Sequence, residues 1–98
     1  MGFRVTAPAE RDLVDIADYI ARDNLPRALS FIDEIEARFA QIASQPALYR
    51  LRDDVMPGIR AAGHGQYLIY FLCEEDGEVV FLRVLHGARD QAGSLSEP

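Results

Sequence analysis

Lysine is absent from this sequence. All ten basic residues are arginine, they stand against sixteen carboxylates, and the net charge is −6. A phosphate backbone is held largely through a net positive face, so the chain as a whole is a poor autonomous nucleic-acid binder. Residues 1–49 hold five arginines and eight acids, and residues 50–98 hold the same counts. Neither half is basic, so any cationic face has to be assembled by folding. Cysteine is nearly absent. Cys73 has no partner for an internal disulfide, which fits a reducing cytoplasm, and its place in an apolar run predicts a buried, inert thiol. No Cys or His spacing suggests a metal site, and no cofactor is implied. No run approaches the ~20 apolar residues of a membrane span. Met1–Ala9 lacks the basic start and apolar run of a signal peptide, so a cytoplasmic protein without membrane contact is expected. Neither a phosphate-cradling glycine loop nor a nucleophile elbow is found.

What is present reads as one domain over residues 1–98. A domain this small has a limited core, so a tightly bound partner would add noticeably to its stability. Phe3–Val5 alternates like a short strand. Thr6 can cap a helix beginning at Ala7, with Pro8 in the first turn. Leu13, Ile16, Ala17 and Ile20 then recur at helical spacing, predicting a helix from about Ala7 to Arg22. Asp23 or Asn24 caps a second helix, from about Pro26 to Ser44. Its stripe is Ala28, Ile32, Ile35, Phe39 and Ile42, widened by Leu29, Phe31 and Ala43. The short link between them predicts an antiparallel helical hairpin. Ala47–Gly58 has no period and reads as a loop. Ile59–Ala62, Gln66–Cys73 and Val79–Leu85 read as strands, with turns at Gly63-His64-Gly65 and Glu75-Asp76-Gly77. Gln91–Pro98 reads as a frayed tail. The order β-α-α-β-β-β predicts a two-layer α+β domain, the hairpin packed on an antiparallel sheet.

A sheet covered on one side should alternate apolar and polar residues. Tyr67–Leu72 and Val79–Leu82 do not alternate. Either the sheet curves with the tail across it, or its second face forms a groove for a partner segment. Arg83 interrupts an apolar strand, so it either points to solvent or is held by a carboxylate. Arg60, on the first strand of the meander, could neighbour the same surface. His86 ends the last strand and could do acid–base work, although no nucleophile or second base stands near it in sequence. His64 is expected to be exposed in its turn. Asp12, Asp15 and Asp18 read as a solvated acidic helix face.

Several segments, in order, resemble the ParE branch of the RelE/ParE toxin family. Thr6-Ala7-Pro8-Ala9-Glu10-Arg11-Asp12-Leu13 looks like the family's opening. Asp18-Tyr19-Ile20-Ala21, Gln45-Pro46, Pro57-Gly58-Ile59-Arg60 and Tyr67-Leu68-Ile69-Tyr70-Phe71 continue the likeness. Arg83-Val84-Leu85-His86-Gly87-Ala88-Arg89-Asp90 resembles its closing motif. The resemblance implies a RelE-like fold and the toxin half of a type II toxin–antitoxin pair. It implies a ParD-like antitoxin whose C-terminal segment wraps the toxin and whose N-terminal domain binds operator DNA, so the toxin meets that DNA only indirectly. Tyr19, Tyr67, Ile69, Phe71 and Phe81 are the antitoxin-binding candidates. ParE-type members poison DNA gyrase without catalysing a reaction, whereas RelE-type members cut messenger RNA on the ribosome with a cationic cluster. An acidic chain without lysine favours gyrase. Arg60, Arg83, His86, Arg89 and Asp90 are the target-facing candidates, and no catalytic residue is assigned. The alternatives are a RelE-type endonuclease and a non-toxic antitoxin-binding module.

Overall fold

A computed structural model describes residues 2–87. Arg89, Asp90 and the tail 91–98 lie outside the described residues. The chain opens with β1 (Phe3–Val5) and two helices, α1 (Ala7–Ala21) and α2 (Leu25–Ser44). Both helices start where the sequence places a cap. Thr6 Oγ1 accepts the Ala9 N–H at 3.3 Å, and Asn24 Oδ1 accepts the Arg27 N–H at 3.0 Å. Each cap satisfies one of the donors a helix start leaves unpaired. A proline follows each cap within two residues.

A 3₁₀ turn (Pro46–Leu48) leads to four strands: β2 (Arg50–Leu51), β3 (Arg60–His64), β4 (Tyr67–Cys73) and β5 (Val79–His86). They form a five-stranded sheet in the order β1-β5-β4-β3-β2. The result is an α+β domain in which two helices pack on a mostly antiparallel sheet. Two details differ from the sequence reading. The stretch read as loop contains β2, whose two residues pair with Ala61 and Arg60 of β3. A strand that short has no period to detect. The sheet is also not wholly antiparallel, because β1 runs parallel to β5. The helical hairpin and then β2, β3 and β4 lie between the two in sequence, well beyond the crossover length a parallel pair requires.

Gly77, at φ +89°, closes the loop between β4 and β5. Its N–H donates to the Glu74 carbonyl at 3.0 Å, so Asp76-Gly77 ends a three-residue hairpin with glycine in the left-handed position. Cys73 was expected to be buried, but it is exposed at the end of β4. His64 lies half-buried at the end of β3 rather than exposed in a turn.

Between Phe71–Phe81 and Tyr70–Arg83 the β4–β5 register shifts by one residue, so Leu82 is extra on β5. The bulge puts Val84 rather than Arg83 on the face that Val79 and Phe81 share, and the apolar runs on either strand alternate between two apolar faces. Val79, Phe81 and Val84 of β5, with Tyr67, Ile69 and Phe71 of β4, lie in one core with Phe31, Ile35, Phe39 and Ile42 of α2. Phe39 stacks on Phe81 with centroids 4.1 Å apart. In α2 the buried stripe runs through Phe31, while Leu29 is 62% exposed. Tyr70 and Leu85 face the other side and are buried with Ile59. Val55, Met56, Leu68, Leu72 and Leu82 pack around them. The second face therefore has an apolar cluster of its own, formed partly by the segment between β2 and β3. A partner is not needed to explain every apolar strand residue.

Candidate functional site

β1 ends at Val5, and Thr6 turns the chain away from the sheet into α1. Beyond Phe81, β5 therefore has no strand on its outer side, and polar groups of a free edge need other partners. The chain supplies them from α1 and its cap. The Thr6 N–H donates to the Phe81 carbonyl at 3.1 Å. The Thr6 hydroxyl lies 3.0 Å from that same oxygen and 3.2 Å from the Leu82 carbonyl. One turn further, Asp12 Oδ2 accepts the Val84 N–H at 2.9 Å.

The same carboxylate holds Arg83. Arg83 Nε donates to Asp12 Oδ2 at 2.7 Å and Nη2 to Oδ1 at 3.0 Å. This is the two-pronged fit of a planar guanidinium to a carboxylate. The Arg83 side chain is 28% exposed and that of Asp12 only 13%, so the pair is largely shielded. The bond to Asp12 raises the Arg83 pKa above its usual value, and burial opposes it. The Asp12 carboxylate thus favours the charged form of Arg83.

Past this clasp, α1 and the ends of β4 and β5 bound an open cleft of about 710 Å³. Asp15, Ile16, Asp18 and Tyr19 of α1 line it with Arg22 just past the helix, and Gln66, Tyr67 and His86 line it from the ends of the strands. Tyr19 is 68% exposed. His86 packs edge-on against Tyr67 with centroids 5.7 Å apart. His86 Nε2 lies 3.1 Å from Gln66 Oε1. The cleft thus offers two phenol rings on walls that carry both signs of charge.

The structure brings Arg83, His86, Tyr19 and Tyr67 together around this cleft. Arg60 does not line it. Its Nη1 donates to the Tyr49 carbonyl at 2.6 Å, toward β2. Ile69, Phe71 and Phe81 are 0% exposed in the core beneath the helices, so a partner reaches none of them without opening the fold. Arg89 and Asp90 lie outside the described residues. Sequence reading missed Asp12, which it assigned to a solvated face. A charge inside an apolar strand signals that some carboxylate must answer it, but the partner lies 71 positions away.

On the opposite sheet face, Arg52 makes a two-pronged pair with Asp54, both contacts at 3.0 Å. Nearby, the Tyr70 hydroxyl is buried beside the Arg52 guanidinium, with no well-formed hydrogen bond among the described residues. Burial pushes the Tyr70 pKa up, with Arg52 opposing. Among the described residues no group of three or more His, Cys, Asp or Glu side chains could hold a metal ion. No helix among them is long and apolar enough to cross a membrane.

With this geometry in view, three comparisons bear on the chain. The family model for the ParE toxin of the type II toxin–antitoxin system parDE matches residues 3–91. A chain of the chromosomal ParDE system of P. aeruginosa has a similar structure, with TM-score 0.76 and 21% identity. That match covers 88% of this chain and 95% of the other. A chain of the RelBE2 toxin–antitoxin complex of Mycobacterium tuberculosis is also similar, with TM-score 0.59 and 27% identity. It covers 87% of this chain and 95% of that one. No curated protein matches the sequence significantly.

Proposed function

The chain belongs to the ParE toxin family of type II toxin–antitoxin systems, and from that premise we propose that it poisons DNA gyrase and is neutralised by a ParD-like antitoxin. The observation that carries this reading is the family match, which spans residues 3–91. The antitoxin-facing residues are Tyr19 and Tyr67, whose rings border the cleft beside α1. An amphipathic segment that folds on binding suits such a surface, because tyrosine supplies contact area at low conformational cost. The target-facing candidates are Arg83 and His86 at the end of β5, Arg89 and Asp90 that follow them in sequence, and Arg60 on β3.

Electrostatics favours gyrase over messenger RNA. Cutting RNA requires stabilising added negative charge on a phosphate, normally with clustered cations. Here Arg4, Arg27, Arg52 and Arg83 are paired with carboxylates, and Arg38 and Arg60 donate to backbone carbonyls. Expression without antitoxin should arrest growth, and purified toxin should make gyrase accumulate cleaved DNA. Unimpaired supercoiling at saturating toxin would refute the target. The likeness to the RelBE2 chain supports a second reading, ribosome-dependent cleavage of messenger RNA. Cuts that require the ribosome and vanish in Arg83→Ala would favour that reading.

A further inference from the structure

Between Glu36 and Glu74 the chain has only two carboxylates, Asp53 and Asp54, against Arg38, Arg50, Arg52 and Arg60. In a chain of net charge −6 this is where arginine prevails. The stretch contains the last turns of α2, all of β2 and β3, and β4. Folding gathers three of these arginines around Tyr49. Arg38 Nη1 donates to the Tyr49 hydroxyl at 3.1 Å, and its guanidinium lies 5.3 Å from the centre of the ring. Arg60 donates to the Tyr49 carbonyl. Arg50 follows Tyr49 in the chain and is exposed. Among the described residues none of these three has a carboxylate partner. The carbonyls that Arg38 and Arg60 bond orient them and leave their charge uncancelled. This cationic corner borders a free strand edge. β2 ends the sheet order, so only β3 pairs with it. The Arg52 N–H donates to the Ile59 carbonyl at 2.7 Å, and Leu51 stands opposite Arg60. Hydrogen-bonded and non-bonded pairs alternate along an antiparallel ladder, so the Leu51 N–H and C=O point away from β3. Another strand can bond them. Leu51 is 45% exposed, and Leu48, just before the strand, is 72% exposed.

We propose that the outer edge of β2 receives an extended, acidic segment of another protein, added to the sheet as a further strand. Main-chain bonds to Leu51 set the register, and side chains supply the selection. Alternate residues of the incoming strand face opposite sides of the sheet. Arg50 lies opposite Ala61, on the side away from the helices. A carboxylate on that side of the segment meets Arg50, whose planar guanidinium suits it. On the other side an apolar residue covers Leu51. A nucleic acid is a poor occupant, because it has no main chain to continue the ladder and the net charge of the chain repels a polyanion. A second copy of this chain is also poor, since a two-fold contact would set Arg50 and Arg52 beside their own counterparts. No residue of β2 lines the Tyr19 cleft, so the inference depends neither on where an antitoxin binds nor on gyrase being the target.

The test uses the full chain and a fluorescent synthetic peptide of about eight residues, in which glutamate and valine alternate. The controls are a version with lysine for glutamate, a version with proline at a central valine, and a single-stranded oligonucleotide of equal charge. The glutamate–valine peptide should bind, slow the exchange of the Leu51 amide proton and shift the amide resonances of Arg50 and Leu51. The lysine and proline versions should bind at least roughly tenfold more weakly. Arg50→Glu should cost the peptide roughly tenfold or more in affinity. Leu51→Pro, as a second variant, removes the outward N–H without removing a bond to β3, and should cost as much. Tyr19→Ala should leave the affinity unchanged. Equal binding of the lysine or proline version, a Leu51 amide that exchanges as fast in the complex as without it, or indifference to both variants would overturn the proposal. An oligonucleotide that displaces the peptide with equal affinity would overturn it too, as the site would then read phosphate. So would self-association of the unliganded chain that Leu51→Pro abolishes, since the occupant would then be a second copy.

Discussion

Asp12 does three jobs with one carboxylate: it holds two nitrogens of Arg83 and the backbone N–H of Val84. Replacing it by asparagine keeps the shape and removes the charge that Arg83 answers. Hydrogen bonds to charged groups contribute about 1.5–3 kcal/mol each where shielded. The partial exposure of Arg83 argues for the lower end. Asp12→Asn should therefore lower the urea-unfolding free energy by about 2 kcal/mol, and a loss below half that would show the clasp to be ornamental. Tyr70 makes the opposite case. Its folded pKa is raised, so its contribution is complete below the unfolded value near 10 and is lost as pH rises through the folded value. Tyr70→Phe removes a hydroxyl that has no well-formed hydrogen bond among the described residues. The variant should be more stable by about 1 kcal/mol, with less alkaline destabilisation above about pH 10. A less stable variant would mean that the hydroxyl has a partner. At this scale the sequence exposes problems rather than solutions. Arg83 visibly needs a carboxylate, but nothing local distinguishes Asp12 from Asp15 and Asp18.

The junction between β1 and α1 is where one segment serves two elements. Thr6 caps α1 and also bonds the β5 backbone where β1 stops. Losing an N-cap typically costs about 1 kcal/mol, and Thr6→Ala should cost about 1–2 kcal/mol because the edge contacts go as well. Serine at this position should restore most of that stability, as measured by thermal unfolding. If it did not, the threonine methyl rather than its oxygen would be what matters. Both helices and the β3–β4–β5 meander were legible because caps and apolar spacing are local signals. The Leu82 bulge was not, nor was the cover that the segment between β2 and β3 lays over the apolar second face. Once the bulge is placed, Val84 joins the helix-side core and Leu85 the opposite cluster. Ile69, Phe71 and Phe81 face the helices and belong to the interior rather than to a docking surface.

For the molecule as a whole, the net charge of −6 acquires a location once the fold is known. The strand layer pairs several of its charges, as in Arg4 with Glu74 and Glu78 and Arg52 with Asp54. The helical layer instead leaves Glu10, Asp15, Asp18, Asp33 and Glu36 without salt bridges among the described residues. A neutralising antitoxin that folds onto this layer must therefore bring positive charge, and its encounter should be steered electrostatically. Exposed charges act over about 10 Å at 0.1 M salt and about 3 Å at 1 M. Steering of this kind governs association more than dissociation. In stopped-flow mixing with the cognate antitoxin, the association rate should fall roughly tenfold or more between ~0.05 M and ~0.5 M salt. The dissociation rate should change much less, because short-range contacts in the bound state are screened less than charges acting across solvent. Charge-neutralising Asp15→Asn and Asp18→Asn together should reproduce part of the salt effect at low ionic strength while leaving dissociation unaltered. A salt-independent association rate would place the antitoxin on the charge-balanced strand layer, away from the helices.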